Sequence, residues 1–475
     1  FLDCSSLTSI TIPNSITSIG WFALNGCSSI TSITIPESVT GIGSGAFKNT
    51  GFYNDKSNWD DGTLYIDNCL IEVNQSLSGA YTIKDSTRVI ADDAFDQCYK
   101  LTSITIPESV VSIGKQAFYG CSSLASIIIP NSVTVIGEEA FRDCSVLTSI
   151  TIPKGVTSIG ESAFDNCFSL TSVVWNAINC KDFGSSNALF YHFDNISYQI
   201  ISFTFGDCVE HIPAYLCYQM VKLQYIVIPE SVTKIGDSAL NQCESLKSIV
   251  LPENLTEIGD YAFLNCYALT SVTLPKNLTK IGESAFHTCR SLSGIRIPDS
   301  VTSIGPDAFA NCESLRNITI PEGVNEIADG LFSHCPNLTS VSIPDGVTTV
   351  GSYAFAFCKN LETINVGDGV KVIEDGAFNF NPCLKRISLG KNVENIEMPV
   401  NSLLGCHSLT GFDVDESNVY FSTDECGVLY NKDKTKLIIA GIIAVLVIVV
   451  IAMYNNLVRL RQKVKNSWNA SRFFA

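Results

Sequence analysis

The chain has 475 residues, 46% of them hydrophobic, and carries 30 Lys and Arg against 47 Asp and Glu, a net charge of −17. Setting aside Arg459, Arg461, Lys463, Lys465 and Arg472, the only charged residues after position 436, leaves 25 bases against 47 acids, or −22, for residues 1–436. A surface that acidic repels nucleic acid and anionic lipid, so no nucleic-acid partner is expected.

The first residues already lie inside a repeat, because Phe1 and Cys4 are spaced like Phe118 and Cys121, and the chain is expected to be a fragment. One unit reads Leu101, Ile104, Ile106, Pro107, Val110, Ile113, Gly114, Ala117, Phe118 and Cys121. The next reads Leu124, Ile127, Ile129, Pro130, Val133, Ile136, Gly137, Ala140, Phe141 and Cys144, a period of 23 residues. With the proline position as marker, the pattern runs from Pro13 to Gly390 in about 16 turns.

Each position has a physical task. Leu-x-x-Ile-x-Ile alternates apolar and polar residues, the mark of a short strand with one buried face. Proline then ends the ladder, having no N–H to donate. The following Val and Ile turn the chain back across a core, the Gly is expected to permit a tight bend, and Ala-Phe is expected on a short helical turn. No unit can bury its apolar side alone, so the units must stack. The fold class that follows is an α/β solenoid of short parallel strands with helical or 3₁₀ turns, over residues 1–436, with irregular inserts near 49–81, 175–205 and 411–436.

The residues between the apolar strand positions face the concave side of such a solenoid. They include Ser103, Thr105, Ser126, Ser149, Thr151, Ser271, Thr273, Arg296, Asn317 and Thr319, a hydroxyl-rich candidate binding surface. Ser and Thr also simply suit a half-exposed strand. The inserts bring aromatics, with Trp59, Tyr65, Trp175 and Tyr191 as candidate anchors, although a hairpin folded on the solenoid would bury the same rings as core.

The 19 cysteines invite a disulfide or metal reading. Their placement favours a structural ladder, one small buried side chain per turn, at Cys98, Cys121, Cys144, Cys167, Cys243, Cys266, Cys289, Cys312, Cys335 and Cys358. Cys69, Cys180, Cys208, Cys217 and Cys426 fall off this ladder and are the expected candidates for oxidation. No Cys-x-x-Cys, HExxH, GxSxG or phosphate-binding glycine loop occurs, and the five histidines share no repeat position. No catalytic, cofactor or metal site is expected.

The 23-residue unit, with its Ile-Pro strand end and Ala-Phe-x-x-Cys turn, resembles the BspA-type leucine-rich repeats over about residues 1–436. That resemblance implies a cell-surface protein binding host matrix proteins, other microbes or host cells.

Residues 437–454, LIIAGIIAVLVIVVIAMY, carry no charge and are long enough to cross a bilayer as a helix. Basic residues after it favour a cytoplasmic C-terminus and an external solenoid. With the apolar run before it, the segment YNNLVRLRQKVKNSW at 454–468 resembles the start of LemA-family membrane proteins, and residues 469–475 depart from that family. Gly62–Ile71 parallels Gly427–Asn431, with Leu437 and Ile438 as a returning strand, so the apolar run begins inside a hairpin. Three readings stay open: a membrane-anchored adhesin-like binder of proteins or surface macromolecules, an envelope-organising protein, or a fused reading frame.

Overall fold

The computed structural model describes residues 1–184, 189, 200–397 and 402–439. It divides into two compact units, Phe1–Ser300 and Val301–Ala475. Each is a parallel β-solenoid in which every regular turn contributes two short strands, one before the proline position and one after it.

In the first unit the leading strands stack in register. Ser126–Ile128 pairs with Lys100–Thr105, placing Ser126 beside Ser103 and Ile127 beside Ile104. Ser149–Ile152, Ser172–Trp175, Ser202–Phe205 and Tyr225–Val227 form a parallel four-stranded sheet. The second strands are two residues long, as in Val89–Ile90, Ser112–Ile113, Val135–Ile136 and Ser158–Ile159, and make their own parallel ladder. The second unit repeats the plan with Ser340–Ser342, Thr363–Asn365, Arg386–Leu389 and Gly411–Val414, and with Glu326–Ile327, Thr349–Val350, Val372–Ile373 and Asn395–Ile396.

The core is the apolar set read from the repeat. Leu124, Ile127, Ile129, Val133, Ile136, Ala140, Phe141 and Cys144 are all buried. Their phenylalanines stack turn upon turn: Phe118 and Phe141 lie 5.3 Å apart at 3°, Phe141 and Phe164 5.3 Å apart at 8°. Losing one such buried ring costs about 3–5 kcal/mol.

Two expectations about the turn are corrected. Ala-Phe does not sit on a helix; the helices Gly51–Asn54 and Lys56–Asn58 both lie in the first insert. The Ala-Phe segment is instead bracketed by left-handed residues, Gln116 and Gly120 in one turn, Glu139 and Asp143 in the next. This conformation aims alternate N–H groups at the following turn. Gln116, Phe118 and Gly120 donate to the carbonyls of Glu138, Ala140 and Arg142, each at 2.8 Å.

The recurring glycine of the unit, in turn, is not a bend residue. Gly114 and Gly137 have ordinary φ, but a Cβ on Gly137 would meet Gly114 C and Lys115 N at 2.4 Å. The glycine lets consecutive turns touch backbone to backbone.

The inserts differ from one another. Trp59–Asp60, Thr63–Ile66 and Cys69–Val73 are antiparallel neighbours, and Cys69–Val73 then pairs in parallel with Val89–Ile90, so the hairpin takes the place of a turn. In the second unit Phe421–Thr423, Leu429–Asn431 and Leu437–Ile439 form an antiparallel sheet, with the last as the returning strand anticipated from Leu437 and Ile438. Residues 411–414 of the expected third insert are a regular ladder strand. A helix beginning at 437 is therefore corrected at its first three residues. The remaining apolar run, the LemA-like segment and the basic tail, 440–475, lie outside the described residues. Among the described residues no helix is long and apolar enough to cross a membrane.

Gly137→Ala is expected to lower the melting temperature by several degrees, because backbone must move to admit the methyl group. Gly294→Ala, where a Cβ meets nothing within 4 Å, is expected to be neutral within about 0.5 kcal/mol. Equal melting temperatures for the two variants would contradict the close-approach role.

Candidate binding surface

In the leading strands the buried residues alternate with residues that reach solvent, so each turn offers two outward side chains. Thr105, Ser126, Ser149, Thr151, Ser271, Thr273 and Arg296 are exposed in the first unit and Ser103 is half-buried. Asn317 and Thr319 are exposed in the second. Cross-strand pairing brings Ser149 beside Ser172 and Ser172 beside Ser202, and sets Ser271 beside Ser248. The hydroxyl-rich reading of the strand face thus describes real neighbours.

The face also carries apolar residues, and here the sequence reasoning missed a turn. Ile128 is 81% exposed, Tyr225 63%, Val227 73% and Val250 74%. Tyr225 lies beside Ser202 and Val227 beside Thr204, while Val250 pairs with Thr273. Two solvent-facing aliphatics and a tyrosine on nearby strands are a larger apolar patch than scattered surface residues make. The signal was present in Tyr-Ile-Val at 225–227, which occupies the Ser-Ile-Thr position of other turns. Below this face, Thr273, Arg296, Glu253, Lys276 and Asp299 line a depression of about 470 Å³. Arg296, one of the candidate surface residues, is thus part of its lining.

The four insert aromatics separate. Trp175 is fully buried, in edge contact with Phe183 at 6.3 Å, and is corrected from surface anchor to core. It sits at a buried strand position next to Phe205, so alternation rather than the insert decides its direction. Tyr65 is half-buried, its hydroxyl 3.1 Å from that of Tyr81 and its ring beneath the Lys84 ammonium. Trp59 is half-buried at the edge of a cleft, donating its ring N–H to the Tyr53 carbonyl at 2.8 Å. Tyr191 lies outside the described residues.

The repeat matches the model of the BspA type leucine rich repeat region at residues 1–78, 74–197, 186–316 and 280–410. The chain belongs to the BspA-type leucine-rich repeat family. Similar solved structures include a leucine-rich repeat protein from Bacteroides ovatus, 25% identical over 76% of this chain and 92% of that one with a TM-score of 0.45. A leucine rich cell surface protein from Faecalibacterium prausnitzii is 26% identical over 76% and 94%, with a TM-score of 0.38. A leucine-rich repeat protein from T. pallidum is 29% identical over 38% and 90%, with a TM-score of 0.32. No curated protein matches the chain. The BspA-type solenoid is a protein-interaction scaffold and not a typical enzyme family. Among the described residues no group of three His, Cys, Asp or Glu is placed to hold a metal ion.

The cysteines of this BspA-type chain follow the ladder geometry. Cys121, Cys144 and Cys167 are buried, and each thiol donates to the carbonyl of Phe95, Phe118 or Phe141 on the preceding turn at 3.2–3.3 Å. Cys335 and Cys358 do the same in the second unit, to Phe309 and Phe332 at 3.2 Å. Where the ladder lacks a cysteine, Asn381 substitutes: its amide donates to the Phe355 carbonyl at 2.8 Å and its oxygen accepts the Cys358 N–H at 2.8 Å. Burial pushes the Cys98, Cys266 and Cys358 thiols up to about 12. Thiolate, the form that attacks a disulfide or binds a metal, is thereby suppressed.

The off-ladder expectation is corrected for three residues. Cys69, Cys180 and Cys217 are buried, and Cys217 fills a phenylalanine position, its carbonyl accepting the Cys243 thiol at 3.3 Å. Cys208 and Cys426 are exposed, as are Cys4 and Cys383.

A thiol pKa raised from 9.0 in the unfolded chain to about 12 in the fold contributes stability that is whole below pH 9 and is lost as pH rises toward 12. The change per buried thiol is about 1.4 kcal/mol for each pH unit in that window. The stability gap between the native chain and Cys266→Ala, from denaturant unfolding, is expected to be constant from pH 6 to 8 and to narrow above pH 9. A gap that stays constant to pH 11 would contradict a protonated thiol donor at Cys266.

Proposed function

We propose that this chain binds macromolecular partners, proteins or surface macromolecules, across the strand face of its first unit, in the manner of an adhesin. The observation that carries the reading is the exposed Tyr225, Val227 and Val250 among serines and threonines on neighbouring strands of two parallel sheets. Aromatic anchors ringed by small polar residues suit recognition of a large, flat partner, with tyrosine among the residues that carry most binding energy. Small hydroxyl side chains lose little entropy on contact and let a partner approach the sheet closely.

The same turns carry exposed Glu108, Glu230, Glu253 and Asp299 directly after the proline, so a partner surface with basic groups at its rim is favoured by charge. On this reading the solenoid faces the outside of the cell. Membrane attachment through the apolar run ending at 454 is part of the same proposal, supported by its composition and by the basic residues after it.

The full chain is expected to bind at least one member of a panel of extracellular-matrix proteins and intact cells. Tyr225→Ala with Val227→Asp is expected to lower that affinity tenfold or more, while leaving the unfolding midpoint within a few degrees, because both side chains face solvent. Binding by neither the native chain nor the variant across the panel, or equal binding by both, would overturn the proposal.

A further inference from the structure

The first insert leaves a gap in the turn-to-turn bonding of the first unit. In regular turns the alternate N–H groups of the Ala-Phe segment donate forward, as Phe118 does to Ala140 and Phe141 to Ala163. The matching groups before the insert are those of Gly45 and Phe47. Among the described residues neither finds a backbone acceptor. The insert resumes the stack one layer further on: Val73 donates to the Ala94 carbonyl at 2.8 Å, and the Asn74 carbonyl faces the Cys98 thiol at 4.0 Å. Between the two layers lies an open cleft of about 700 Å³.

The cleft walls are chemically distinct. Gly45 and Phe47 line one side and Glu72, Val73 and Asn74 the other, with Tyr53 and Trp59 alongside. Tyr53 is held by its hydroxyl on Glu72 at 2.8 Å and packs edge-on to Trp59 at 5.3 Å. Asp92, Asp93 and Asp96 also line the cleft. Asp92 is occupied, accepting the Lys115 N–H at 2.7 Å and the Trp21 ring N–H at 3.3 Å. Asp93 and Asp96 meet no cation among the described residues, and burial raises the Asp96 carboxyl above its ordinary value. Lys56 is drawn onto the Trp59 ring, 4.6 Å from its centre, instead of onto these acids.

We propose that this cleft is a second binding site, taking an extended polypeptide segment that carries a lysine or arginine side chain. Of the Gly45 and Phe47 N–H groups, that of Gly45, a half-exposed residue, is the one a segment in the cleft can reach, since Phe47 is fully buried. A segment laid along the cleft accepts the Gly45 N–H as the next turn does elsewhere, which is main-chain augmentation of the stack. Its basic side chain reaches Asp93 and Asp96, both half-buried, where it exchanges hydration for charge-assisted hydrogen bonds. Its apolar side chains rest against Tyr53 and Trp59. The site stands apart from the strand face and does not depend on that surface binding anything.

The test uses the full chain and two pools of labelled hexapeptides, blocked at both ends and random except at one central position. One pool fixes Lys or Arg there, the other Gln, and binding is read by fluorescence polarisation at physiological salt. The basic pool is expected to bind at least tenfold more tightly. Asp93→Asn with Asp96→Asn is expected to abolish that preference, and Tyr225→Ala with Val227→Asp to preserve it. Equal binding of the two pools overturns the proposal. So does a preference that survives in the Asp93/Asp96 variant, which would mark attraction to the acidic chain at large. Saturable binding of chitohexaose with no retention of either peptide pool would assign the cleft to a glycan instead. A thermal melt of the Asp93/Asp96 variant within a few degrees of the native chain separates loss of the site from loss of the fold.

Discussion

Every turn of this solenoid must bring its backbone within hydrogen-bonding reach of the next, and the rest of the structure follows from that contact. A 23-residue turn has few long strands to satisfy its peptide groups, and a buried N–H or C=O without a partner costs as much as a lost hydrogen bond. The second strands are only two residues long, so most of the bonding falls to the turns. Gly137 lets its backbone lie against Gly114; the left-handed residues around Phe118 aim N–H groups forward; the Cys144 thiol points back to Phe118. Thr134, Thr157, Thr256 and Thr279 add hydroxyl bonds to the preceding turn's carbonyls at 3.0–3.1 Å. These are one device repeated, a donor from one turn meeting an acceptor on its neighbour.

The same constraint explains part of the acidity. Asp92, Asp237, Asp260 and Asp329 occupy one repeat position, and each accepts the N–H of the equivalent residue one turn later, at 2.7–3.0 Å. Asp345 and Asp368, after the strand, do likewise for Asp368 and Lys391 at 2.8 and 3.2 Å. Carboxylates bonded in this way are turn chemistry first and a source of field second. Lys234 and Lys280 flank Glu257 at 3.3 and 2.8 Å, and Arg386 pairs with Asp413 through two nitrogens. Exposed pairs of this kind add little stability; their effect is to cancel charge locally.

The sequence was legible wherever periodicity alone decides the outcome. The buried set, the strand register and the cysteine ladder all follow from one 23-residue spacing. It was misleading where two conformations share a spacing. Ala117, Phe118 and Cys121 are spaced as one face of a helix would be, yet Gln116 and Gly120 are left-handed and no helix forms. The left-handed positions accept Gln, Glu, Ser, Asp and Tyr, so no run of glycines announced them. Gly114 suggested a bend for the converse reason, since a glycine required by a neighbouring turn is indistinguishable in sequence from one required by its own φ. Trp175 and Tyr225 show the same limit on the strand face. Trp175 takes the buried Ile152 position and Tyr225 the outward Ser202 position, so two bulky rings in equivalent strands face opposite ways by their place in the alternation alone.

A stack that satisfies itself so completely has little left with which to bind. Along a regular turn the apolar positions pack, the turn N–H groups bond forward and the thiols, hydroxyls and carboxylates bond back. Only the two outward strand positions escape these duties, so they are free to differ from turn to turn, and there Ser, Thr, Ile, Val, Tyr and Arg all appear. The other freedom arises where an insert breaks the stack, as at 49–81, because there the Gly45 and Phe47 N–H groups lack, among the described residues, the backbone acceptors that a regular turn supplies. The two binding sites proposed for this solenoid are thus set by the same contact that builds it: one where the contact makes no demand, the other where it is left unmade.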